Sequence, residues 1–210
     1  MMHPWPVTFR TLIALVVAAT LAVACGSDAA AEPVEPPHSI HEPWQAEPFA
    51  VDQAVLTSAH AACGDMNPPG GPALAGLSLV AVDARGGSHV YLVSANQNSE
   101  SDCFVEIAPS GQAMTKSGGA TSGDPFKQLA PGAIEGVGSS SGTNGSDTMS
   151  SVVGRAGPGV ARVVVTLADN RRIIASLSRS GWYAAWWPDG TASTKVTAYD
   201  GVGTVTGATQ

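Results

Sequence analysis

From position 49 onward, the apolar residues of the chain occur in short runs separated by Gly, Asp, Asn and Pro. This pattern is typical of β strands joined by turns. The predicted strands are 77–82, 89–95, 103–108, 160–167, 172–178, 182–187, 194–199 and 203–206. The pattern also predicts one helix over 51–62, where Val55, Leu56 and Ala59 share one side.

Turn residues lie between the predicted strands. Residues 84–87 join the first two strands into a hairpin, and Asp169 with Asn170 joins another pair. Since no run supports a long helix, we expect a mostly β domain over 50–210, built as an antiparallel sandwich or a barrel-like fold. The pattern leaves open whether this domain is one sheet system or two small β subdomains.

Residues 109–151 depart from the strand pattern, because Gly, Ser and Thr dominate them. A richer apolar patch occurs around Phe126, Leu129 and Ile134. We therefore expect a long Gly/Ser-rich loop over about 109–151, and loops of this length are commonly functional or mobile.

The N-terminal 24 residues have the features of a secretory signal. His3 and Arg10 precede an uncharged apolar stretch over 12–24, which is shorter than the roughly 20 residues that span a bilayer. Residues 1–24 are therefore predicted to be a signal peptide that is removed.

Residues 21–27, Leu-Ala-Val-Ala-Cys-Gly-Ser, resemble a bacterial lipoprotein signal. The resemblance implies that Cys25 becomes the first mature residue and carries the lipid that anchors the protein to the membrane. Ala22 departs from the strict motif, which prefers Leu, Val or Ile at that place. The alternative is plain secretion, because residues 22–24 also form an A-x-A cleavage site.

The remaining two cysteines form an even pair. With Cys25 assigned to the lipid, Cys63 and Cys103 are left to form a disulfide in an oxidising compartment. Their spacing matches no zinc-binding pattern. We therefore expect a disulfide that closes a loop of about 40 residues and stabilises the domain by about 4 kcal/mol.

The segment 25–49 is predicted to be a disordered acidic tether, because it interleaves Pro with Asp and Glu and has no Lys or Arg. His38 and His41 lie in it without a scaffold that fixes metal geometry, so no metal or cofactor is expected. The whole chain has a net charge of −7 and no cluster of basic residues, which argues against nucleic-acid binding.

The predicted strand 182–187 is rich in aromatic residues. Alternation places Trp182 and Trp186 on one face and Tyr183 and Trp187 on the other. Exposed Trp and Tyr side chains suit binding, and sugar rings stack on such surfaces, so these four residues form a candidate binding surface. The alternative is that all four are buried between sheets.

No catalytic residues are assigned. Residues 138–142, Gly-Ser-Ser-Ser-Gly, match the G-x-S-x-G motif, but they lack its strand–turn–helix context and no His follows His89. Other polar candidates belong to no recognised motif; these are His60, His89, Glu100, Asp102 and Glu106. An enzyme is therefore not the favoured class.

Residues 154–160 and 182–188, together with 83–87 and Cys103, resemble a group of exported lipoproteins of high-GC Gram-positive bacteria. These proteins carry a Trp-rich C-terminal β module, and the resemblance covers roughly 75–205. It implies an extracytoplasmic β domain and no established activity.

Together, these observations predict a lipid-anchored protein of the cell envelope, on the extracytoplasmic face of the cell membrane. The expected role is non-catalytic, either binding or structural, toward a partner protein or a wall glycan. The alternatives are an envelope hydrolase that acts on wall polymer or a small exported substrate, and a sensory ectodomain.

Overall fold

The structure, a computed structural model, describes residues 39–64, 76–144 and 147–210. The predicted signal peptide, Cys25 and the predicted tether up to residue 38 lie outside these residues. The helix and strands of the described part are α1 (Gln53–Gly64), β1 (Ser78–Ala84), β2 (His89–Ala95), β3 (Ser99–Ile107), β4 (Ala113–Ser122), β5 (Ile134–Asn144), β6 (Asp147–Ala156), β7 (Arg162–Leu167), β8 (Arg172–Ile174), β9 (Ser176–Leu177), β10 (Trp182–Trp187), β11 (Ser193–Tyr199) and β12 (Val205–Thr209).

The strands form three antiparallel sheets of four strands each. Sheet 1 has the order β1-β2-β3-β4, sheet 2 the order β5-β6-β10-β9, and sheet 3 the order β12-β11-β7-β8. The prediction of a mostly β, antiparallel fold is confirmed, and the sheets do not close into a barrel.

Sheet 2 lies between the other two sheets. Trp182, Ala184 and Trp186 of β10 pack into a core with residues of sheet 1, whereas Tyr183, Ala185 and Trp187 pack into a core with residues of sheet 3. All six residues of β10 are buried. The domain is therefore a stack of three β layers in one compact unit, with β10 in the middle layer.

The outer face of sheet 1 packs against α1. Asp52 caps the start of this helix, because its Oδ1 atom accepts a hydrogen bond from the Val55 amide at 2.8 Å. At the other end, Cys63 forms a disulfide with Cys103 of β3, with a Cα–Cα distance of 6.1 Å. The predicted disulfide is confirmed, and it joins the last turn of the helix to sheet 1.

The described residues contain no helix with the length and hydropathy of a membrane span.

The predicted Gly/Ser-rich loop at 109–151 is wrong, because this region contains β4, β5 and half of β6. Hydroxyl groups pair across these strands: Ser140 Oγ lies 2.8 Å from Ser151 Oγ, and Ser150 Oγ donates to Ser141 Oγ at 3.0 Å. Composition alone indicated a loop because these polar residues are common in turns. Here the backbone ladder and the cross-strand hydroxyl contacts give a sheet instead.

Residues 39–49 also differ from the prediction, which assigned them to the tether. The Gly87 amide donates to Glu42 O at 2.6 Å, and the Phe49 amide donates to Ala84 O at 2.9 Å. Gly86 has a φ of +84°, and a Cβ atom at this position would lie 2.4 Å from Glu42 O. This segment therefore belongs to the domain, because it packs tightly against the β1–β2 hairpin.

A buried ion pair connects all three sheets. Asp83 of β1 accepts hydrogen bonds from Ser176 Oγ at 2.6 Å and from the Trp186 amide at 3.0 Å, both in sheet 2. Arg85 Nε contacts Asp83 Oδ2 at 2.6 Å, and the guanidinium also donates to Ala46 O and to Ile174 O of sheet 3. Burial raises the pKa of Asp83, and the charge of Arg85 opposes this shift.

Candidate ligand-binding groove

The predicted aromatic binding surface is buried. The exposed fractions are 7% for Trp182, 0% for Tyr183, 1% for Trp186 and 2% for Trp187. Trp187 Nε1 donates to Thr191 O at 2.8 Å, and Tyr183 Oη donates to Glu135 O at 3.1 Å. The alternative, in which all four side chains fill the core, is therefore correct, because sheet 2 is covered on both faces.

Among the described residues, His60 lies on α1, and His89 begins β2 opposite Glu106 of β3. His60 is exposed on α1, and the His89 Nδ1 atom lies 2.5 Å from Gly87 O. In the described part of the chain, neither His60 nor His89 forms an ion pair. Residues 138–142 lie within β5 and not on a strand–turn–helix elbow.

Of the three carboxylate candidates, Glu100 is buried, whereas Asp102 and Glu106 are half-buried. Strand register pairs Glu100 with Ala95 and Asp102 with Val93, and both partners belong to the core between these sheets. Glu106 instead contacts Lys116 Nζ at 2.5 Å. The sequence alone did not distinguish these two environments.

Glu100 is an unusual buried carboxyl group. It is 4% exposed, and its Oε1 atom has no hydrogen-bond partner among the described residues. Burial, and then the charge of Asp102, raises the pKa of Glu100 to about 8. Asp102 accepts hydrogen bonds from Tyr91 Oη at 2.7 Å and from the Gly119 amide at 2.9 Å. Burial also raises the pKa of Tyr91.

Arg155, at the end of β6, forms the centre of a surface groove. It pairs with Trp182 of β10, and its Cζ atom lies 5.2 Å from the ring centroid of Phe126 and 5.9 Å from that of Trp182. Its Nη2 atom donates to Lys127 O at 2.8 Å, and Nη1 contacts Glu135 Oε2 at 3.3 Å. These contacts hold the guanidinium group in place, and the side chain of Arg155 remains 16% exposed.

Two depressions share Arg155 as a common wall, and together we call them the Arg155 groove. The larger has a volume of about 460 Å³ and is lined by Gln128, Leu129, residues 155–160 and residues 177–181. The smaller has a volume of about 340 Å³ and is lined by Asn96, Gln97, Pro125, Phe126, Arg155 and Trp182. These volumes fall in the usual range for small-ligand sites.

The groove offers hydrogen-bonding groups of several kinds. Arg155 and Arg179 supply cations, Asn96 and Gln128 supply amides, and the 178–181 turn supplies hydroxyls. Charged donors beside neutral amides suit a ligand rich in hydroxyl and carboxylate oxygens. No group of three or more His, Cys, Asp or Glu residues suitable for a metal occurs in the described ranges.

The Arg155 groove lies where two segments that are distant in the sequence meet. The two segments that carried the family resemblance, 154–160 and 182–188, meet in the paired strands β6 and β10. Arg155 was not predicted as a site residue, because it lies between glycine-rich residues with no recognised motif. Its pairing with Trp182 depends on strand register, which the sequence did not reveal.

Comparison of the chain with protein-family models, with curated proteins and with solved structures gave no match.

Proposed function

We propose that this chain is a lipid-anchored protein of the bacterial cell envelope whose β domain binds a wall glycan in the Arg155 groove, without converting it chemically. The observation that carries the binding role is the Arg155 guanidinium, which is held against Phe126 and Trp182 between two open depressions. The expected anchor on Cys25 supports the location.

The chemistry of the groove favours a glycan over a purely apolar ligand. Sugars of the cell wall present hydroxyl, amide and carboxylate groups, and the groove presents amides, hydroxyls and two guanidinium groups. The half-buried ring of Phe126 adds an apolar surface beside these polar groups. Ligand sites commonly combine an apolar wall with a few polar groups that fix orientation.

Calorimetric titration of the detergent-solubilised full chain with soluble wall-glycan fragments tests this role. We expect Arg179→Ala to weaken binding about tenfold or more, since a charge-assisted hydrogen bond contributes about 1.5–3 kcal/mol. Arg179 is exposed at the groove, so its loss leaves the fold intact.

The matched control is Arg162→Ala, which removes an exposed Arg from sheet 3, outside the groove. The control should bind the fragments as the unchanged chain does. Equal loss in both variants, or no binding by the unchanged chain, would refute the groove as the glycan site.

The anchor has a separate test. Cys25→Ala is expected to move the protein from the membrane fraction to the soluble fraction and to abolish incorporation of labelled fatty acid. A Cys25→Ala variant that keeps its lipid label would contradict the anchor and leave the groove proposal standing.

A further inference from the structure

The outer face of sheet 3 carries a cluster of cationic side chains. Strand register pairs Arg162 with Tyr199, and pairs Thr166 with both Arg172 and Lys195. The intervening residues Val163 and Val165 face the core between sheets 2 and 3. Because side chains alternate along a strand, the three cations and Tyr199 lie on the opposite, outer face.

One tyrosine holds two of these cations close together. The Cζ atom of Arg162 lies 4.7 Å from the centroid of the Tyr199 ring, and Arg172 Nη2 donates to Tyr199 Oη at 3.1 Å. Each guanidinium carries five N–H donors, so most of the donors of this pair are left for a ligand. Tyr199 therefore orders a two-guanidinium site.

The cations of this face have no acidic partner in the part of the chain that the structure describes. Other basic side chains do have one, such as Arg155 with Glu135 and Arg171 with Asp169, but Arg162, Arg172 and Lys195 form no ion pair there. A shallow cavity of about 290 Å³ lies between the two arginines, and it is lined by Ala46, Glu47, Arg162, Val164, Arg172 and Ile174.

Two acidic residues lie near this face, Glu47 and Asp200. Glu47 is one of the residues that line the cavity; its side chain is exposed and forms no ion pair with either arginine. Asp200, beside Tyr199, accepts hydrogen bonds from the amides of Val202 and Thr204 through its Oδ1 atom. The chain as a whole has a net charge of −7, so the charge of this face is opposite in sign to that of the whole chain.

We propose that this face binds a phosphodiester polymer of the cell envelope, with one phosphate group between Arg162 and Arg172. Arginine forks bind phosphate oxygens with paired hydrogen bonds, and Lys195 supplies a further charge for the next part of the polymer. A polymer with repeating phosphate groups suits this face, because its three cations lie on the neighbouring strands β11, β7 and β8. This site shares no residue with the Arg155 groove and does not depend on it.

Binding of a soluble glycerol-phosphate polymer to the detergent-solubilised full chain tests the proposal. We expect the double variant Arg162→Gln/Arg172→Gln to lose about tenfold or more in affinity, and we expect binding by the unchanged chain to weaken as salt screens the charges. The matched control Arg179→Gln removes a cation from the Arg155 groove and should bind the polymer as the unchanged chain does. Lys195→Gln, a single exposed change, provides a second variant that should weaken binding less.

Equal binding by the unchanged chain and the double variant would overturn the proposal, as would binding that does not respond to salt. Vesicles that contain an anionic phospholipid provide the competing source of phosphate; this arm uses the Cys25→Ala chain without detergent and compares these vesicles with neutral ones, so that the lipid anchor does not contribute. Binding to these vesicles with no binding to the polymer would also overturn it, in favour of a membrane-facing surface. Binding of wall-glycan fragments by the double variant should stay unchanged, which separates this test from that of the groove.

Discussion

The carboxylate of Asp83 and the guanidinium of Arg85 lie 2.6 Å apart, and neither side chain has any exposed surface. Through Ser176, Trp186, Ala46 and Ile174, this pair contacts sheet 2, sheet 3 and the N-terminal segment of the domain. The pair therefore connects the three β layers through buried hydrogen bonds.

Asp83→Asn should destabilise the domain by about 3–5 kcal/mol, because it leaves the buried charge of Arg85 without its partner. Urea unfolding of the full chain measures this loss. Arg85→Met should cost a similar amount, since it leaves the carboxylate of Asp83 unpaired.

The double variant Asp83→Asn/Arg85→Met should cost clearly less than the two single changes added together, because no unpaired charge remains. Additive losses would show that the two side chains stabilise the fold independently, contrary to the account of a coupled pair.

Gly154→Ala should destabilise the domain by about 1–3 kcal/mol, as overpacking of a filled core commonly does. A Cβ atom at Gly154 would lie 2.3 Å from both Tyr183 Oη and Glu135 O. The control is Gly136→Ala, since Gly136 pairs with Gly154 in the sheet and has open space around it. Similar melting temperatures for the two variants would contradict the packing described for Tyr183.

Glu100→Gln should stabilise the domain at alkaline pH. The pKa of Glu100 is about 8 in the fold against a usual value of 4.5, so the folded state binds the proton more tightly than the unfolded state. The contribution of protonated Glu100 to the free energy of unfolding is therefore fully present below about pH 4.5, and it is lost as the pH rises to about 8. Each pKa unit corresponds to about 1.4 kcal/mol.

Melting temperatures between pH 5 and pH 9 measure this effect. At pH 9, Glu100→Gln should melt about 5 °C or more above the unchanged chain, and the difference should shrink toward pH 5. Glu106→Gln, on the same strand but beside Lys116, should not reproduce this trend. A constant difference across the pH range would show that Glu100 does not titrate in this way.

Reduction of the Cys63–Cys103 disulfide should lower the free energy of unfolding by about 2–4 kcal/mol, because the bond closes a loop with a sequence separation of 40. The double variant Cys63→Ser/Cys103→Ser should unfold at the same denaturant concentration as the reduced chain. Adding reductant should lower the denaturant concentration at which the unchanged chain unfolds, but not that of the double variant. A lowered value for the double variant would contradict the assignment of the loss to the disulfide.

Much of the fold was predictable where apolar residues form clear runs. The predicted bounds 89–95 and 182–187 match β2 and β10. The strands within 109–151 were not predictable. The Ser and Gly residues of β5 and β6 have the composition of a loop, and they form strands because the two segments pair with each other. Residues 39–49 were misassigned because Pro and Glu obscured the apolar contacts of Ile40 and Trp44.

The candidate site was less predictable than the fold. The aromatic residues of β10 are evident from the sequence, but their burial follows from the presence of a sheet on each face, which no local pattern predicts. Arg155 and Phe126 are 29 positions apart in sequence, and their contact depends on how residues 123–127 fold back on the β2–β3 turn. Such a site becomes visible only from the tertiary structure.

Chemical-shift mapping of arginine side chains tests the central claim most directly. On addition of soluble wall-glycan fragments to the full chain, the Nε–H signals of Arg155 and Arg179 should shift, while those of Arg162 and Arg172 should stay in place. Shifts confined to sheet 3, or no shift at any of the four arginines at saturating ligand, would contradict the assignment of glycan binding to the Arg155 groove.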